Sequence, residues 1–215
     1  MSLGNLLGYN ALMGASENGH LDVVITLCER GADVNAACIN GVYGNGLTAL
    51  MLAARGDHHL VISELCDREA DLNAKIFRDG ETAFMLACQK GCLGAVRELY
   101  TRGADVNIPS LDEMTGFMQA CEEGHLDVVR YLCDENPGLM SATIMGGWTP
   151  LMYAVPGCRE DIICELLSMG ADVNAKGTST GETALMVAGQ HSSSKMCILL
   201  LQYNAGREHV YTAFF

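Results

Sequence analysis

Apolar residues recur at helical spacing in short stretches that come in pairs along the chain. The first stretch of a pair carries residues such as Leu50, Ala53 and Ala54 on one side, three or four positions apart. The second stretch has similar spacing, as residues 126–133 show. A glycine between the stretches predicts a tight left-handed turn, at Gly19, Gly91 and Gly124. The pattern therefore predicts pairs of short helices joined by tight turns.

The helix pairs repeat about every 33 residues along the chain. A threonine opens most copies, and its hydroxyl is suited to cap the free N–H groups at a helix start. The threonines are Thr48, Thr82, Thr115, Thr149 and Thr183, spaced 34, 33, 34 and 34 positions apart. Asn10 takes this place in the first copy, 38 positions before Thr48. One helix pair cannot bury its own apolar side, so we expect the copies to stack.

A second signature, Gly-Ala-Asp-Val-Asn, follows the second helix at residues 31–35, 103–107 and 170–174, with a Gly-less variant at 69–73. Together with the Thr-Ala/Pro-Leu-Met openings and the Gly-His-Leu-Asp-Val-Val segments, it resembles the ankyrin repeat. The resemblance covers nearly the whole chain. It implies an all-α ankyrin-repeat solenoid of stacked helix-turn-helix units with extended finger loops.

The resemblance implies that residues 1–215 form a single ankyrin-repeat array. The six repeats are placed at 9–40, 44–77, 78–111, 112–144, 145–177 and 179–206, with a C-terminal tail at 207–215. Where the family usually has His, all six repeats have Met: Met13, Met51, Met85, Met118, Met152 and Met186. Because Met cannot donate a hydrogen bond, we expect polarizable packing there instead. Pro137 and Pro156 predict a sharp helix stop and a short helix.

Charge and composition exclude several classes of function. The formal net charge is −13, which argues against nucleic acid as a partner. Apolar runs fall far short of the roughly 20 residues that a membrane helix needs, so no membrane association is expected. No basic signal segment precedes Arg30, and the ten cysteines include no C-x-x-C pair. We therefore expect a cytoplasmic protein with buried thiols.

Candidate chemistry is sparse, and each candidate has a structural alternative. Asp57, His58 and His59 could bind a metal or act as an acid–base pair, but His58 shares its place in the repeat with His20 and His125. A repeated place favours a structural role. The sequence therefore predicts no catalytic residues, no metal, no cofactor and no enzyme activity.

Two further groups of residues leave alternatives open. Cys38 lies in a long loop, where it could be exposed and reactive. The favoured alternative is that it is a loop cysteine without a special role. Asparagines at the end of the second signature resemble the sites of asparaginyl hydroxylases: Asn35, Asn73, Asn107 and Asn174. The alternative is that these side chains hydrogen-bond the turn, and this reading is favoured.

The resemblance also implies where a partner binds. Ankyrin arrays resemble a cupped hand, in which loop tips are fingers and first helices form a palm. Transferred by position, the candidate contacts are Tyr43, Leu47, Phe77, Arg78, Glu113, Met114, Glu122, Glu123, Met145 and Trp148. Large apolar residues on loop tips indicate either packing between neighbouring fingers or an interface. The acidic palm residues favour a basic segment.

The predicted function is a non-catalytic protein–protein interaction scaffold that binds a partner protein or basic peptide on its concave side. The first alternative is a targeting array within a longer multidomain effector or signalling protein. The second alternative is self-association through the fingers or the apolar ends, which would make the protein a homo-oligomer. This second alternative is not favoured.

Overall fold

The computed structural model describes residues 8–39, 46–143, 147–191 and 193–203, and every regular element in these ranges is a helix. The α-helices are α1 Ala11–Glu17, α2 Leu21–Glu29, α3 Ala49–Arg55, α4 His59–Asp67, α5 Ala83–Lys90, α6 Leu93–Thr101, α7 Gly116–Glu123, α8 Leu126–Glu135, α9 Pro150–Ala154, α10 Glu160–Ser168, α11 Ala184–Gln190 and α12 Ser194–Gln202. A short 3-10 helix, Pro137–Ser141, follows α8. Within the described ranges, no helix has the length and apolar character needed to cross a membrane.

The chain divides into two compact units, residues 1–116 and residues 117–215. In the first unit, the first helices α1, α3 and α5 pack side by side, and the second helices α2, α4 and α6 form a parallel row. In the second unit, α9 packs against α11 and α8 against α10. Helix pairs are thus the building blocks of both units, as the sequence predicted.

The predicted helix caps form at the start of five first helices. In each, the backbone N–H of the methionine three residues on donates to the capping oxygen, over 2.9–3.4 Å. The capping residues are Asn10, Thr48, Thr82, Thr149 and Thr183. This bond satisfies an N–H that has no partner inside the helix. The methionines have a second role, because five of the six are at most 1% exposed in the core: Met13, Met51, Met85, Met118 and Met152.

The turns between paired helices are left-handed, as the glycines predicted. Gly19 and Gly91 have φ of 69°, and Gly124 has φ of 85°. Asp57 takes the same place with φ of 57°, although a non-glycine residue is disfavoured there. Its side chain accounts for the exception, because Asp57 Oδ1 accepts a 2.7 Å hydrogen bond from the Ala95 N–H and so caps α6.

The two prolines act as predicted. Helix α8 ends at Glu135, just before Pro137, and α9 is only five residues long ahead of Pro156. A proline lacks an N–H and clashes with the preceding turn, so neither helix continues through it.

Cys38 is buried, and the exposed, reactive alternative for it is wrong. Its side chain is 1% exposed, and its backbone N–H and C=O pair with Leu47 and Gly46 across the base of the loop. The ten cysteines, all within the described ranges, are free thiols. Burial raises the pKa of the Cys66 thiol to about 11 and that of Cys133 to about 12. These two groups stay protonated at neutral pH and are therefore poor nucleophiles.

Candidate partner-binding surface

Three finger loops of the first unit share one backbone arrangement. A backbone N–H at the start of each loop donates to a C=O at its end, and the pairs are Cys38 with Leu47, Ile76 with Glu81 and Ser110 with Met114, each 2.9 Å long. The residue after the donor is large and apolar in every case. We name these residues the apolar fingertip row: Ile39, Phe77 and Leu111, which are 69%, 76% and 68% exposed. The row places three unpaired apolar side chains at equivalent points of successive loops.

Neighbouring loops in this row are held close together. The Leu111 N–H donates a 2.7 Å hydrogen bond to the Asp79 C=O of the preceding loop. Glycines permit the close approach, because a Cβ on Gly46 would lie 2.8 Å from the Lys75 carbonyl oxygen. The same holds at Gly80, where a Cβ would lie 3.1 Å from the Leu111 nitrogen. The loop backbones therefore contact one another, while the three apolar side chains stay open to solvent.

The structure separates the predicted finger residues of this unit into supporting and exposed groups. Phe77 and Arg78 are exposed, as predicted. Leu47 is 3% exposed, so its prediction as a partner contact is wrong. Its side chain is buried where the loop returns to α3. Tyr43 lies outside the described residues, and its prediction stays untested.

Ile39 is a member of the row that the sequence analysis missed. The signal was available, because Ile39, Phe77 and Leu111 each stand four residues after the asparagine of the second signature. The first loop is longer than the others, which obscured this register. A later aromatic residue of the loop, Tyr43, was predicted as the contact instead. Counting from the asparagine, rather than back from the threonine, would have found Ile39.

Glu113 and Met114 are half-buried at the end of the third finger loop. Glu113 occupies the left-handed region with φ of 59°, and the Met114 N–H donates to Ser110 Oγ over 3.2 Å. Both residues therefore help to close the turn, and they offer less surface than Leu111 beside them.

In the second unit, Trp148 is half-buried and has partners of its own. Its ring makes a T-shaped contact with the ring of Tyr153, with the ring centres 5.4 Å apart, and its Nε1–H donates to Glu182 Oε2 over 3.3 Å. Hydrogen bonds from Gln190, Thr180 and Trp148 hold the pKa of Glu182 below its ordinary value. Thr178 stands at the place that corresponds to the fingertip row. Met145, the other candidate nearby, lies outside the described residues.

The predicted acidic pair has a basic neighbour that the sequence analysis did not assign to it. Arg159 donates from Nε to the Glu122 C=O over 2.8 Å, and its Nη2 lies 3.8 Å from Glu123 Oε2. Burial, and then the charge of Glu123, raises the pKa of the Glu122 carboxyl. Arg130, the next basic residue along the chain, pairs instead with Glu165 at 2.7 Å. The pair is therefore less negative than the sequence suggested.

The histidine with a repeated place has the structural role that was favoured. His58 Nε2 lies 3.0 Å from the Glu17 C=O, and its ring fills the space beside Gly19, where a Cβ would lie 2.5 Å from Nδ1. Cys92 Sγ makes the equivalent contact to the Arg55 C=O at 3.5 Å. Each ties a second helix to the repeat before it. In the part of the chain that the structure describes, no group of three His, Cys, Asp or Glu residues is placed to hold a metal.

The side chains of two asparagines of the second signature, Asn35 and Asn73, link successive repeats. Asn35 Oδ1 accepts from the Asp71 N–H over 2.7 Å, and its Nδ2 donates to the Glu69 C=O over 3.1 Å. Asn73 Oδ1 accepts from the Asp105 N–H over 3.0 Å. These bonds support the structural reading of the asparagines.

Stacked helix pairs joined by hydrogen-bonded loops define a helical-repeat protein, and the comparisons with known proteins name the family. The family model "Ankyrin repeats (3 copies)" matches residues 36–110 and 103–177, and "Ankyrin repeat" matches residues 7–39. These matches cover well over half of the chain, which therefore belongs to the ankyrin repeat family. The resemblance found in the sequence is confirmed.

Two solved structures are similar over most of the chain. The human ASB11 ankyrin repeat domain has a TM-score of 0.78 and 26% identity, and the match covers 92% of this chain and 85% of that one. A chain in the complex of the Bd0816 predatory endopeptidase of Bdellovibrio bacteriovorus with the immunity protein Bd3460 has a TM-score of 0.72 and 29% identity. That match covers 89% of this chain and 97% of the other.

Curated relatives match over a short segment. The BTB/POZ domain and ankyrin repeat-containing protein NH5.2 of Oryza sativa subsp. japonica is 43% identical over 54 residues, which are 25% of this chain and 11% of that protein. Regulatory protein NPR6 of Arabidopsis thaliana is 41% identical over 56 residues, which are 26% and 12% of the two proteins. The chain thus spans about a tenth of the length of these relatives.

Proposed function

We propose that this chain is a non-catalytic protein-binding module whose partner contacts the apolar fingertip row. Ankyrin repeats in general serve as protein-interaction modules, and a chain similar to this one comes from a complex between two proteins. The observation that carries the proposal is the exposure of Ile39, Phe77 and Leu111, each more than two thirds exposed. Large apolar side chains grouped on a surface are typical of interfaces.

The proposed surface suits a partner that docks without large rearrangement. Glycine contacts and the bond between Leu111 and Asp79 hold adjacent loops together, so little conformational entropy is lost on docking. Arg78 lies next to Phe77 and is exposed, which supplies a charged group at the rim. An apolar row with a polar rim matches the anatomy of protein interfaces.

The test compares capture by the wild-type chain with capture by a variant carrying Ile39→Ser, Phe77→Ser and Leu111→Ser. The matched control carries Leu60→Ser and Ile198→Ser, which change two side chains that are 59% exposed and lie outside the finger loops. The affinity of each captured protein is then measured with purified components. We expect the fingertip variant to weaken binding by about tenfold or more, while the control binds normally. Equal loss in both variants, or in neither, would refute the proposal.

We further propose that the part of the partner that lies near the acidic pair, Glu122 and Glu123, is a basic segment. Among the described residues, the guanidinium of Arg159 faces the two carboxylates of Glu122 and Glu123, so this group keeps a negative balance. Charge reversal through Glu122→Lys and Glu123→Lys should slow association with a basic peptide at low salt. Unchanged association rates would refute a basic segment at the acidic pair.

A targeting role within a longer cytoplasmic protein is a second proposal. The observation that favours it is that this chain spans only about a tenth of the length of the curated relatives it matches. Immunoblotting of the source cells with an antibody against this chain would give the mass of the native protein. Fractionation of the same lysate would test the proposed location.

A further inference from the structure

The charge beside the apolar fingertip row changes sign between the second finger loop and the third. Arg78 follows Phe77 in the second loop, and Asp112 follows Leu111 at the equivalent place in the third. Both charged side chains are exposed. We name Phe77 and Arg78 the second fingertip, and Leu111 and Asp112 the third fingertip. Two adjacent fingertips therefore carry the same pair of apolar and charged residues with opposite signs of charge.

The backbone holds these two fingertips side by side. The second loop is closed by a 2.8 Å hydrogen bond from the Gly80 N–H to the Ile76 C=O. The third loop is attached to it by the 2.7 Å hydrogen bond from the Leu111 N–H to the Asp79 C=O. Their relative positions are therefore set before anything binds, and docking on them costs little conformational entropy.

The charged and apolar groups of the two fingertips are available to another molecule. Neither Arg78 nor Asp112 has an ion-pair partner in the part of the chain that the structure describes. Several other arginines do pair with carboxylates of the chain: Arg55, Arg68, Arg102, Arg130 and Arg159. The apolar side chains of Phe77 and Leu111 are each more than two thirds exposed.

A surface with this arrangement is complementary to itself. A two-fold rotation about an axis that passes between the two fingertips exchanges their places. It brings the second fingertip of one copy onto the third fingertip of another, so that Arg78 faces Asp112 and Phe77 faces Leu111. The reciprocal pair of contacts forms at the same time. Placing two second fingertips together would instead bring like charges into contact, which is disfavoured.

We propose that two copies of this chain form a two-fold symmetric dimer through their second and third fingertips. The sequence analysis did not favour self-association through the fingers, and the opposite charges on two adjacent exposed fingertips are the reason for the change. The dimer goes beyond the proposed function and does not rest on it, because it needs no other protein. Since both contacts use the fingertip row, a second copy and a partner protein exclude each other.

The contact is small, so the dimer is expected to be weak. Two short loops from each copy bury much less than the roughly 1,600 Å² of a standard protein interface. The formal charge of −13 on each copy adds long-range repulsion. At about 0.15 M salt this repulsion is screened beyond about 8 Å, while Arg78 and Asp112 still attract each other at contact. We expect a dissociation constant on the order of 100 μM.

The experiment is sedimentation velocity of purified chains over about 20–500 μM in about 0.15 M salt. The wild-type mass should rise with concentration towards that of two chains. Arg78→Glu or Asp112→Arg alone should weaken association by about tenfold or more, because each puts like charges opposite each other twice in the dimer. An equimolar mixture of the two variants should associate again, because each introduced charge then meets its opposite on the other copy.

A chain that carries both substitutions gives a second test of the same pairing. It should dimerise like the wild type, because the two charges have exchanged places. Its formal net charge stays at −13, since the two reversals cancel, so a change in overall repulsion cannot explain the result.

The matched control is Arg30→Glu, which makes the same change of charge on an exposed residue outside the finger loops and should leave association unchanged. Circular dichroism melting checks that all variants fold, which is expected because the substituted side chains are exposed. A wild type that stays monomeric at about 500 μM overturns the proposal, whereas the capture experiment tests the proposed function separately. The proposal also fails if either single variant dimerises like the wild type. It fails as well if the mixture or the doubly substituted chain does not regain association.

Discussion

Phe77 in the first unit and Trp148 in the second are both aromatic residues close to a finger loop, yet they have different surroundings. Phe77 is 76% exposed, and the adjacent loops meet near it through Gly46 and the backbone. Trp148 makes a T-shaped ring contact with Tyr153 and donates a hydrogen bond to Glu182. The difference teaches that an aromatic residue close to a finger loop can either present an exposed ring, as Phe77 does, or belong to a packed and hydrogen-bonded cluster, as Trp148 does.

The largest expected effect is on stability, and it separates the two aromatic residues directly. Trp148→Ala removes a half-buried ring and a hydrogen bond to Glu182, and should lower the free energy of unfolding by about 2–3 kcal/mol. Phe77→Ala should change it by less than about 0.5 kcal/mol, because the lost surface already faces water. Urea unfolding followed by circular dichroism measures both values. Similar losses for the two variants would contradict the comparison.

A second substitution should stabilise the first unit without touching its fingertip row. Glu69 lies in the left-handed region with φ of 62°, at the place that Gly31 and Gly103 occupy with φ of 80° and 88°. Glu69→Gly should raise the free energy of unfolding by about 1 kcal/mol, because glycine carries no Cβ penalty there. The matched control, Gly103→Ala, should lower it, although a Cβ there meets no atom within 4 Å. Binding through Phe77 should be the same in both variants.

The stability of the surroundings of Trp148 in the second unit should depend on pH, because Trp148 donates a hydrogen bond to the Glu182 carboxylate. The folded-state pKa of Glu182 is below the ordinary value of 4.5, so its contribution to stability is present above that pH and is lost as pH falls through the folded-state pKa. Because Trp148 is the single tryptophan of the chain, its fluorescence reports this loss. Glu182→Gln should reduce the change in fluorescence below pH 4.5. An unchanged acid profile in that variant would show that Glu182 does not support Trp148.

The smallest effect tests exposure alone. A chain with Phe77→Trp and Trp148→Phe moves the fluorescent ring to the fingertip row. Its emission should lie at longer wavelength, and acrylamide should quench it more strongly than it quenches Trp148 in the wild type. Equal quenching in the two chains would contradict the greater exposure of residue 77.

Much of the fold could be predicted because its signals are local. A threonine three residues before a free N–H caps a helix, and a proline ends one, whatever lies around them. The turn glycines, the buried methionines and the structural role of His58 were predicted for the same reason: each recurs at a fixed place in the repeat. A residue type that recurs at the same position of each repeat has a similar environment in each, and this can be inferred from the sequence alone.

The candidate site was harder to predict, because exposure depends on groups far apart in sequence. Leu47 and Ile39 are both apolar residues of the first finger loop, and the structure buries one and exposes the other. Arg159 reaches the acidic pair from more than thirty positions away, and Glu182 reaches Trp148 from a similar distance. No local pattern carries this information.

The sequence by itself determined the family, the helix pairs, their caps and turns, and the acidic character of the chain. These features depend on residues within a few positions of each other, or on repetition, and both can be read along the chain. Only the tertiary structure decided which apolar side chains of the finger loops remain exposed, namely those of the fingertip row. Stacking is the physical reason, because a side chain in a repeat protein is buried by the repeat beside it and not by its own neighbours in sequence.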